Sequence, residues 1–382
     1  MLQRLMRTLA VSTATCVLFS ACKKHTYSPD EPLQPTYSAS VFIASQNKIF
    51  YALDPVSGAR KWEINMHDNI FATPLVVGDK IYVAGESNDL VFTVDIKAAK
   101  LKDTIDLNPP DTVAGGIISS PVADGNSVYF GTTEGYLSAV PYNSKTPRWT
   151  VKLTAGIQAS LALHSGSIIV ATIDNKVHAV STANGSVLWT TNLGTVGFGL
   201  FSSPLVSPPY IYVGSPDGNL YALDVNSGTI RWSFITQAQV LSSPIMYGGN
   251  VIIGSNDNYL YCIDTAAKQP RWMFKTNDRI ISSPAAANQV VYIGSYDSHL
   301  YAVNIIDGTL KWKYQMGALI QSTPLVHNGT VYAASFDKHM YTFDTSGVLK
   351  WKYNINGPVQ TSPVYYDLTR AYYPTITGSA AY

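Results

Sequence analysis

Residues 222–232 read Ala-Leu-Asp-Val-Asn-Ser-Gly-Thr-Ile-Arg-Trp, and versions of this eleven-residue phrase recur along the chain. Close relatives of it occupy residues 52–62, 139–149, 179–189, 262–272 and 302–312, and a copy one residue shorter occupies 342–351. Each copy ends on one of the chain's seven tryptophans: Trp62, Trp149, Trp189, Trp232, Trp272, Trp312 and Trp351. They lie 39 to 43 residues apart, except for one gap of 87 residues after Trp62. The double gap indicates a repeat without its tryptophan, so the 382-residue chain contains eight copies of one unit.

Each unit contains four short strand candidates. In the fifth unit, Ser202-Ser203-Pro204 opens the first strand, and apolar runs at 211–214 and 220–223 flank a polar hairpin. The runs are short, rich in Val, Ile and Tyr, and bounded by turn residues, which is typical of strands rather than helices. Four strands repeating every 40 to 45 residues predict a β-propeller. We therefore expect an all-β fold, an eight-bladed β-propeller of four-stranded antiparallel blades.

The two ends of the chain predict how the ring closes. The first unit lacks a Ser-Ser-Pro strand, while the last unit is followed by a surplus strand at residues 360–366. Pairing these ends completes one blade, so the ring is predicted to close through the C-terminal strand. A further strand candidate at residues 371–377 either extends that blade or displaces residues 41–45.

The repeated phrase also predicts local roles. The carboxylates of Asp54, Asp224, Asp264 and Asp344 follow the third strand, where they can accept backbone N–H bonds and fix a turn. The glycine of the phrase suits a positive φ in that turn. The large tryptophan ring can cover the seam with the next blade, and its N–H needs a partner when buried.

The phrase resembles the repeat of the PQQ-like propeller family over residues 41–366. The resemblance implies that each indole docks between neighbouring blades. In quinoprotein alcohol dehydrogenases, which share the repeat, a quinone lies on the axis beside calcium, and many members have adjacent cysteines. This chain has no adjacent cysteines and no extra carboxylate suited to general-base chemistry. We therefore expect no cofactor and no enzymatic activity.

The search for other binding residues is less specific. We expect the Ser-Ser-Pro serines to line the axial channel, namely Ser119, Ser202, Ser242, Ser282 and Ser322. His299 and His339 are forty residues apart and read as repeat equivalents rather than metal ligands. The insert at residues 97–116 of the second unit is the candidate contact loop, and the alternative is a degenerate repeat with a slack loop and no contact role. Tyr210, Tyr259, Tyr296 and Phe336 lie in or beside hairpins, where a glycan or peptide could contact them.

The amino terminus resembles a bacterial lipoprotein signal. Arg4 and Arg7 precede an apolar stretch at residues 8–19, and small residues stand directly before Cys22. We expect a signal peptide at residues 1–21, lipid on Cys22, a flexible tether at 22–39 and a propeller at 40–382. An ordinary signal cleaved elsewhere is the alternative. No aspartate follows Cys22, which favours the outer membrane and leaves open which face the protein occupies.

The predicted function combines these features. A formal net charge of +1, from 26 basic and 25 acidic residues, gives no indication of a nucleic-acid partner. A lipid-anchored eight-bladed propeller resembles the BamB-type family of outer-membrane assembly lipoproteins. The resemblance implies a monomeric, non-catalytic scaffold with protein partners in the cell envelope, including the barrel-assembly machinery. The alternatives are a quinone-binding, dehydrogenase-like protein and a surface binder of glycans or peptides.

Overall fold

The computed structural model describes residues 38–109, 115–194 and 199–373, and these form strands joined by turns. Their strands assemble into eight antiparallel sheets, which confirms the predicted eight-bladed propeller. Within these ranges, no helix has the length and apolarity needed to cross a membrane. The predicted signal peptide, Cys22 and residues 22–37 of the predicted tether lie outside the described residues.

We number the blades along the chain and letter the strands of each blade A to D from the axis outward. Blade 1 begins with β1 (Ser40–Ala44), β2 (Ile49–Leu53) and β3 (Arg60–Asn65). Blade 2 contains β4 (Leu75–Val77), β5 (Lys80–Ala84), β6 (Leu90–Asp95) and β7 (Lys100–Asp106). Blade 3 contains β8 (Val122–Ala123), β9 (Ser127–Gly131), β10 (Tyr136–Pro141) and β11 (Trp149–Lys152). Blade 4 contains β12 (Ala162–His164), β13 (Ser167–Thr172), β14 (Lys176–Ser181) and β15 (Val187–Asn192).

The remaining blades follow the same plan. Blade 5 contains β16 (Leu205–Ser207), β17 (Tyr210–Gly214), β18 (Asn219–Asp224) and β19 (Ile230–Ile235). Blade 6 contains β20 (Ile245–Tyr247), β21 (Asn250–Gly254), β22 (Tyr259–Asp264) and β23 (Gln269–Lys275). Blade 7 contains β24 (Ala285–Ala287), β25 (Val290–Gly294), β26 (His299–Asn304) and β27 (Leu310–Gln315). Blade 8 contains β28 (Leu325–His327), β29 (Thr330–Ala334), β30 (His339–Asp344) and β31 (Leu349–Asn354).

Blade 1 joins the two ends of the chain. β32 (Val364–Tyr366) is its A strand and pairs antiparallel with β1, with Val41 opposite Tyr365. β33 (Ala371–Tyr372) then pairs with the other edge of β32, on the side of the axis. Of the two arrangements open from the sequence, the extra strand therefore extends the closing sheet and leaves β1 in place. Residues 374–377 of the predicted strand lie outside the described residues.

The apolar core is divided among the seams between blades. Buried side chains form eight clusters, and each cluster draws its members from two adjacent blades. The cluster that joins blade 8 to blade 1 contains Val41 and Tyr51 from the first blade and Leu325 and Trp351 from the last. Because neighbours cover both faces of each sheet, the central strands are buried almost without interruption. Every pair of neighbouring blades, including blades 8 and 1, is therefore joined by an apolar cluster.

The tryptophans lie at these seams, against the C–D turn of the next blade. In blade 5, Trp232 pairs with Ala222 across strands C and D, and a β-bulge follows directly. At five seams the tryptophan ring touches the phrase glycine of the following blade, at Gly58, Gly185, Gly228, Gly308 and Gly347. At four of these seams the indole Nε1 also donates to a turn carbonyl. The bonds run from Trp149 to Thr182 (3.0 Å), Trp272 to Ile305 (2.9 Å), Trp312 to Thr345 (2.9 Å) and Trp351 to Pro55 (3.2 Å).

Two of the remaining seams show what replaces this contact. In blade 2, Asp103 occupies the tryptophan position opposite Thr93, and Lys145 occupies the glycine position of blade 3. These two side chains form an ion pair beside a cavity of about 60 Å³, and Lys145 holds the pKa of Asp103 below its usual value. In blade 6, Lys268 replaces the glycine at a φ of 57°, and the buried Nε1 of Trp232 has no hydrogen-bond partner. These two seams therefore lack the combination of ring contact and indole hydrogen bond seen at the four seams above.

Gly58 tests the closing contact, with Gly78 as a matched control. Both residues have positive φ values, 72° and 58°, but a Cβ on Gly58 would lie 2.5 Å from Trp351, whereas one on Gly78 would meet nothing within 4 Å. Gly78→Ala should lower the free energy of unfolding by about 1–2 kcal/mol through backbone strain. Gly58→Ala should lower it by roughly 2–4 kcal/mol, because overpacking adds to that strain. Equal losses in urea unfolding would contradict the contact.

Candidate functional site

A cavity of about 500 Å³ lies where the eight blades converge, and we call it the axial channel. Two rings of side chains, each with one member per blade, form most of its wall. The hydroxyl ring consists of Thr73, Ser120, Ser160, Ser203, Ser243, Ser283, Thr323 and Ser362. Two residues earlier in each blade stands the mouth ring, which consists of Phe71, Ile118, Gln158, Phe201, Leu241, Ile281, Gln321 and Gln360. Both rings lie in the connection that leads into strand A, the mouth ring four and the hydroxyl ring two residues before the first residue of that strand.

Hydrogen bonds join the hydroxyl ring from blade to blade. The backbone N–H of each member donates to the side-chain oxygen of the member in the next blade. Seven of the eight steps are made, at 2.9 to 3.4 Å, including the step from Ser362 to Thr73 that crosses from blade 1 to blade 2. At the eighth seam, Ser282 Oγ donates to the carbonyl of Ser322 at 2.9 Å. The inner strands are thus tied together around the axis.

The sequence prediction placed the wrong serine of each pair on the channel. Ser119, Ser202, Ser242, Ser282 and Ser322 are buried to within 1% of complete and are absent from the channel wall. They are buried inside the blade, and the residue that follows each of them lines the channel instead. Ser202 Oγ, for example, accepts the N–H of Gly214 in strand B at 2.9 Å. The hydroxyls that face the channel belong to the following residue.

The turn carboxylates lie in the C–D turns, far from the channel. Asp54 Oδ1 accepts the N–H groups of Val56 (3.0 Å) and Ser57 (2.8 Å). Asp224, Asp264 and Asp344 each accept two backbone N–H groups of their own turns. Arg231, followed by these turn N–H groups, lowers the pKa of Asp224 to about 2. These contacts organise turns and form no catalytic grouping.

Sequence reasoning missed a second set of carboxylates in the B–C hairpins. Asp257 Oδ2 accepts the hydroxyl of Tyr261 at 2.7 Å and the N–H of Gln237, in the preceding connection, at 2.9 Å. Asp297 and Asp337 make the same two kinds of contact with their own tyrosine and the preceding connection. The signal was present, because Asp217, Asp257, Asp297 and Asp337 are spaced by forty residues, as regularly as the tryptophans.

The other candidates give no second site. His299 and His339 each contact the carbonyl of the hairpin aspartate two residues earlier, which is the repeat equivalence expected of them. Tyr210, Tyr259, Tyr296 and Phe336 are half-buried and not exposed platforms. In the predicted insert at residues 97–116, Lys100–Asp106 forms β7, and residues 110–114 lie outside the described ranges.

The wall of the channel does not fit a quinone cofactor. Pyrroloquinoline quinone carries several carboxylates, which need cationic side chains or a metal ion as partners. Among the described residues of the wall, Glu86 is the only charged one, and it is acidic. The described residues also contain no group of three or more His, Cys, Asp or Glu side chains placed to hold a metal ion. The channel therefore suits a neutral occupant.

Comparisons with known proteins agree with this geometry. The family described as outer membrane protein assembly factor BamB matches residues 28–143, 100–244 and 237–371. A protein of that description from Moranella endobia is 27% identical over 226 residues, which cover 53% of this chain and 56% of that protein. One from Yersinia pestis is 24% identical over 226 residues, covering 52% and 56%. The chain thus aligns with about half the length of these curated relatives.

Solved structures share the fold at low identity. The crystal structure of BamB from Moraxella catarrhalis matches with a TM-score of 0.65 and 15% identity, covering 79% of this chain and 92% of that one. The computationally designed Ika8 protein matches with a TM-score of 0.67 and 12% identity, covering 80% and 96%. At these identities the similarity establishes the architecture alone.

Ser243 tests the hydrogen-bonded ring. Its Oγ accepts the N–H of Ser203 at 2.9 Å, so Ser243→Ala should leave that donor without its acceptor and cost roughly 1–2 kcal/mol of stability. Ser243→Thr keeps the hydroxyl, as Thr73 and Thr323 do in their blades. Hydrogen exchange of the peptide that contains Ser203 should be faster in the alanine variant and close to wild type in the threonine variant. Equal exchange in all three proteins would rule out the bond.

Proposed function

The chain belongs to the family described as outer membrane protein assembly factor BamB, and from this we propose that it is a non-catalytic scaffold for protein assembly at the bacterial outer membrane. The observation that carries the proposal is the family match, which spans residues 28–371 and therefore almost the whole propeller. Proteins of the cell envelope, including components of the barrel-assembly machinery, are the proposed partners. The propeller itself acts as a monomer.

The chemistry of the described residues supports a binding role. The aspartates that recur in the repeats are occupied by turn N–H groups, tyrosine hydroxyls and backbone links between blades. His178, the most deeply buried of the described histidines, contacts threonine hydroxyls, and burial lowers its pKa. No described carboxylate–histidine pair is left to serve as a general acid and base in the channel.

An apolar arc on the C–D face gives the scaffold a contact surface. Val56, Ile306 and Val348 lie in or beside the C–D turns of blades 1, 7 and 8, and these blades are neighbours in the ring. Their side chains are 84%, 56% and 60% exposed. Exposed apolar side chains grouped on one face mark protein–protein contacts more often than isolated ones do. We assign the arc Val56–Ile306–Val348 to the partner interface.

A lipid on Cys22 would hold this propeller at the membrane. The tether that follows Cys22 contains Pro29, Pro32 and Pro35, which favour an extended chain and allow the propeller to stand away from the bilayer. Diacyl attachment is a firmer anchor than a single acyl chain, so the lipoprotein would remain bound during partner exchange. The proposed location is the outer membrane, on either face.

Affinity purification after cross-linking of the full-length protein in its own membranes tests the scaffold role. We expect barrel-assembly components to be recovered with the wild type. A variant with Val56, Ile306 and Val348 each changed to Glu should lose most of this recovery, because charge on an apolar interface is costly to desolvate. Leu188→Glu with Ile235→Glu is the control, since both residues are exposed apolar side chains on D strands of blades 4 and 5.

The outcomes separate the interface from the anchor. Cys22→Ala should release the protein from membranes and reduce recovery of the partners. Reproducible absence of assembly components from the wild-type sample would contradict the scaffold role. Equal recovery with both glutamate variants would refute the assigned arc alone, and unchanged membrane retention of Cys22→Ala would refute the anchor.

A further inference from the structure

The mouth of the axial channel combines an aromatic surface with amide groups. Phe201 is 43% exposed and is the only aromatic residue among the exposed large apolar side chains of the described ranges. It stands in the mouth ring in blade 5, and in an eight-bladed ring blade 5 lies opposite blade 1, which contributes Gln360. Phe201 and Gln360 therefore stand on opposite sides of the channel mouth.

Neighbouring residues orient the amides. Gln321 Oε1 accepts the hydroxyl of Tyr296 at 3.3 Å, and Gln360 Oε1 accepts Nε2 of Gln46 at 3.5 Å. These bonds use the carbonyl oxygens, so neither of them occupies the NH₂ donors of Gln321 and Gln360. Gln321 and Gln360 belong to adjacent blades, so these donors form one polar sector of the mouth.

The hydroxyl ring supplies groups that both donate and accept. Ser203, Ser243 and Ser283 each accept one backbone N–H from the preceding blade, which uses one lone pair of each oxygen. Each hydroxyl keeps its own proton and a second lone pair. A ligand whose own hydroxyl groups both donate and accept hydrogen bonds can therefore bind this surface at several points without carrying a charge.

The last described residues of the chain also contribute to the channel wall. β33 lies on the axial edge of β32, and Tyr373, which follows it, accepts the N–H of Val76 in blade 2 at 2.7 Å through its hydroxyl. Tyr373 also lines the channel. The remaining volume, about 500 Å³, falls within the range of about 300–1,000 Å³ that is usual for small-ligand sites.

We propose that the mouth of the axial channel binds a neutral saccharide, with one sugar face on Phe201 and its hydroxyls on Gln321, Gln360 and the hydroxyl ring. The C–H groups of a sugar face are weakly positive and pack on the negative face of an aromatic ring. Glu86, the one charged residue of the described wall, already accepts Asn69 Nδ2 at 2.9 Å, so the wall offers no cation to an acidic ligand. The site is independent of the scaffold role, and failure of either proposal leaves the other standing.

Ligand-observed NMR and calorimetry with the purified full-length protein test this site. The probes are maltotriose, cellotriose and tri-N-acetylchitotriose, with trigalacturonate as the acidic counterpart and the capped tripeptide acetyl-Ala-Phe-Ala-amide as the peptide counterpart. We expect at least one neutral trisaccharide to bind with a Kd below about 10 mM, and the two counterparts to bind more weakly.

Variants locate the binding. Phe201→Ala and Gln360→Ala should each weaken the bound trisaccharide by about 10-fold or more, because each removes one side of the site. Ile235→Ala, an exposed apolar truncation on the outer strand of the same blade, should leave the Kd unchanged. Thermal unfolding checks that all three variants are folded. Absence of trisaccharide binding, binding that Phe201→Ala does not change, or preferential binding of the tripeptide would each overturn the proposal.

Discussion

The packing of a tryptophan ring on the turn of the next blade is the contact on which this structure depends. A four-stranded sheet of this size cannot stand alone, since its apolar residues face both neighbours and the core exists only at the seams. Trp351 and Gly58 repeat the internal contact at the point where the chain ends meet, with the indole bonded to Pro55. Closure therefore uses the ring–glycine contact found at four other seams, together with the pairing of β1 and β32.

Features that recur once per unit could be predicted from the sequence, because the same residue types return about every forty residues and isolated matches do not. The phrase from Ala52 to Trp62 specified the turn, the outer strand and the number of blades. The channel wall was misplaced by one residue, since two adjacent serines look alike in sequence, and only the folded connection before strand A shows that the first is buried and the second lines the channel. The position of β33 was equally unreadable, because a terminal strand has no counterpart in the other repeats.

The same architecture lines the channel mainly with uncharged hydroxyl groups. Each blade brings a hydroxyl to the axis because the inner strands must converge, and the hydroxyls then bond neighbouring backbones across the seams. The mouth ring lies outside this constraint, since its members vary from Phe201 to Gln360 among blades that are otherwise alike. The propeller holds these equivalent positions in a fixed arrangement, and the different side chains at them can give binding specificity. The exposed apolar side chains of Val56, Ile306 and Val348 lie on the face of the C–D turns, opposite the channel mouth.

Hydrogen exchange of Trp351→Ala tests closure most directly. Loss of a buried tryptophan costs about 3–5 kcal/mol, and here the loss falls on the seam between blade 8 and blade 1, the blade in which the two ends of the chain pair. The account predicts that exchange becomes faster in residues 40–65 and 364–372, which form blade 1, while blades 3 to 6 keep wild-type protection. Wild-type exchange in blade 1 of this variant would contradict the account.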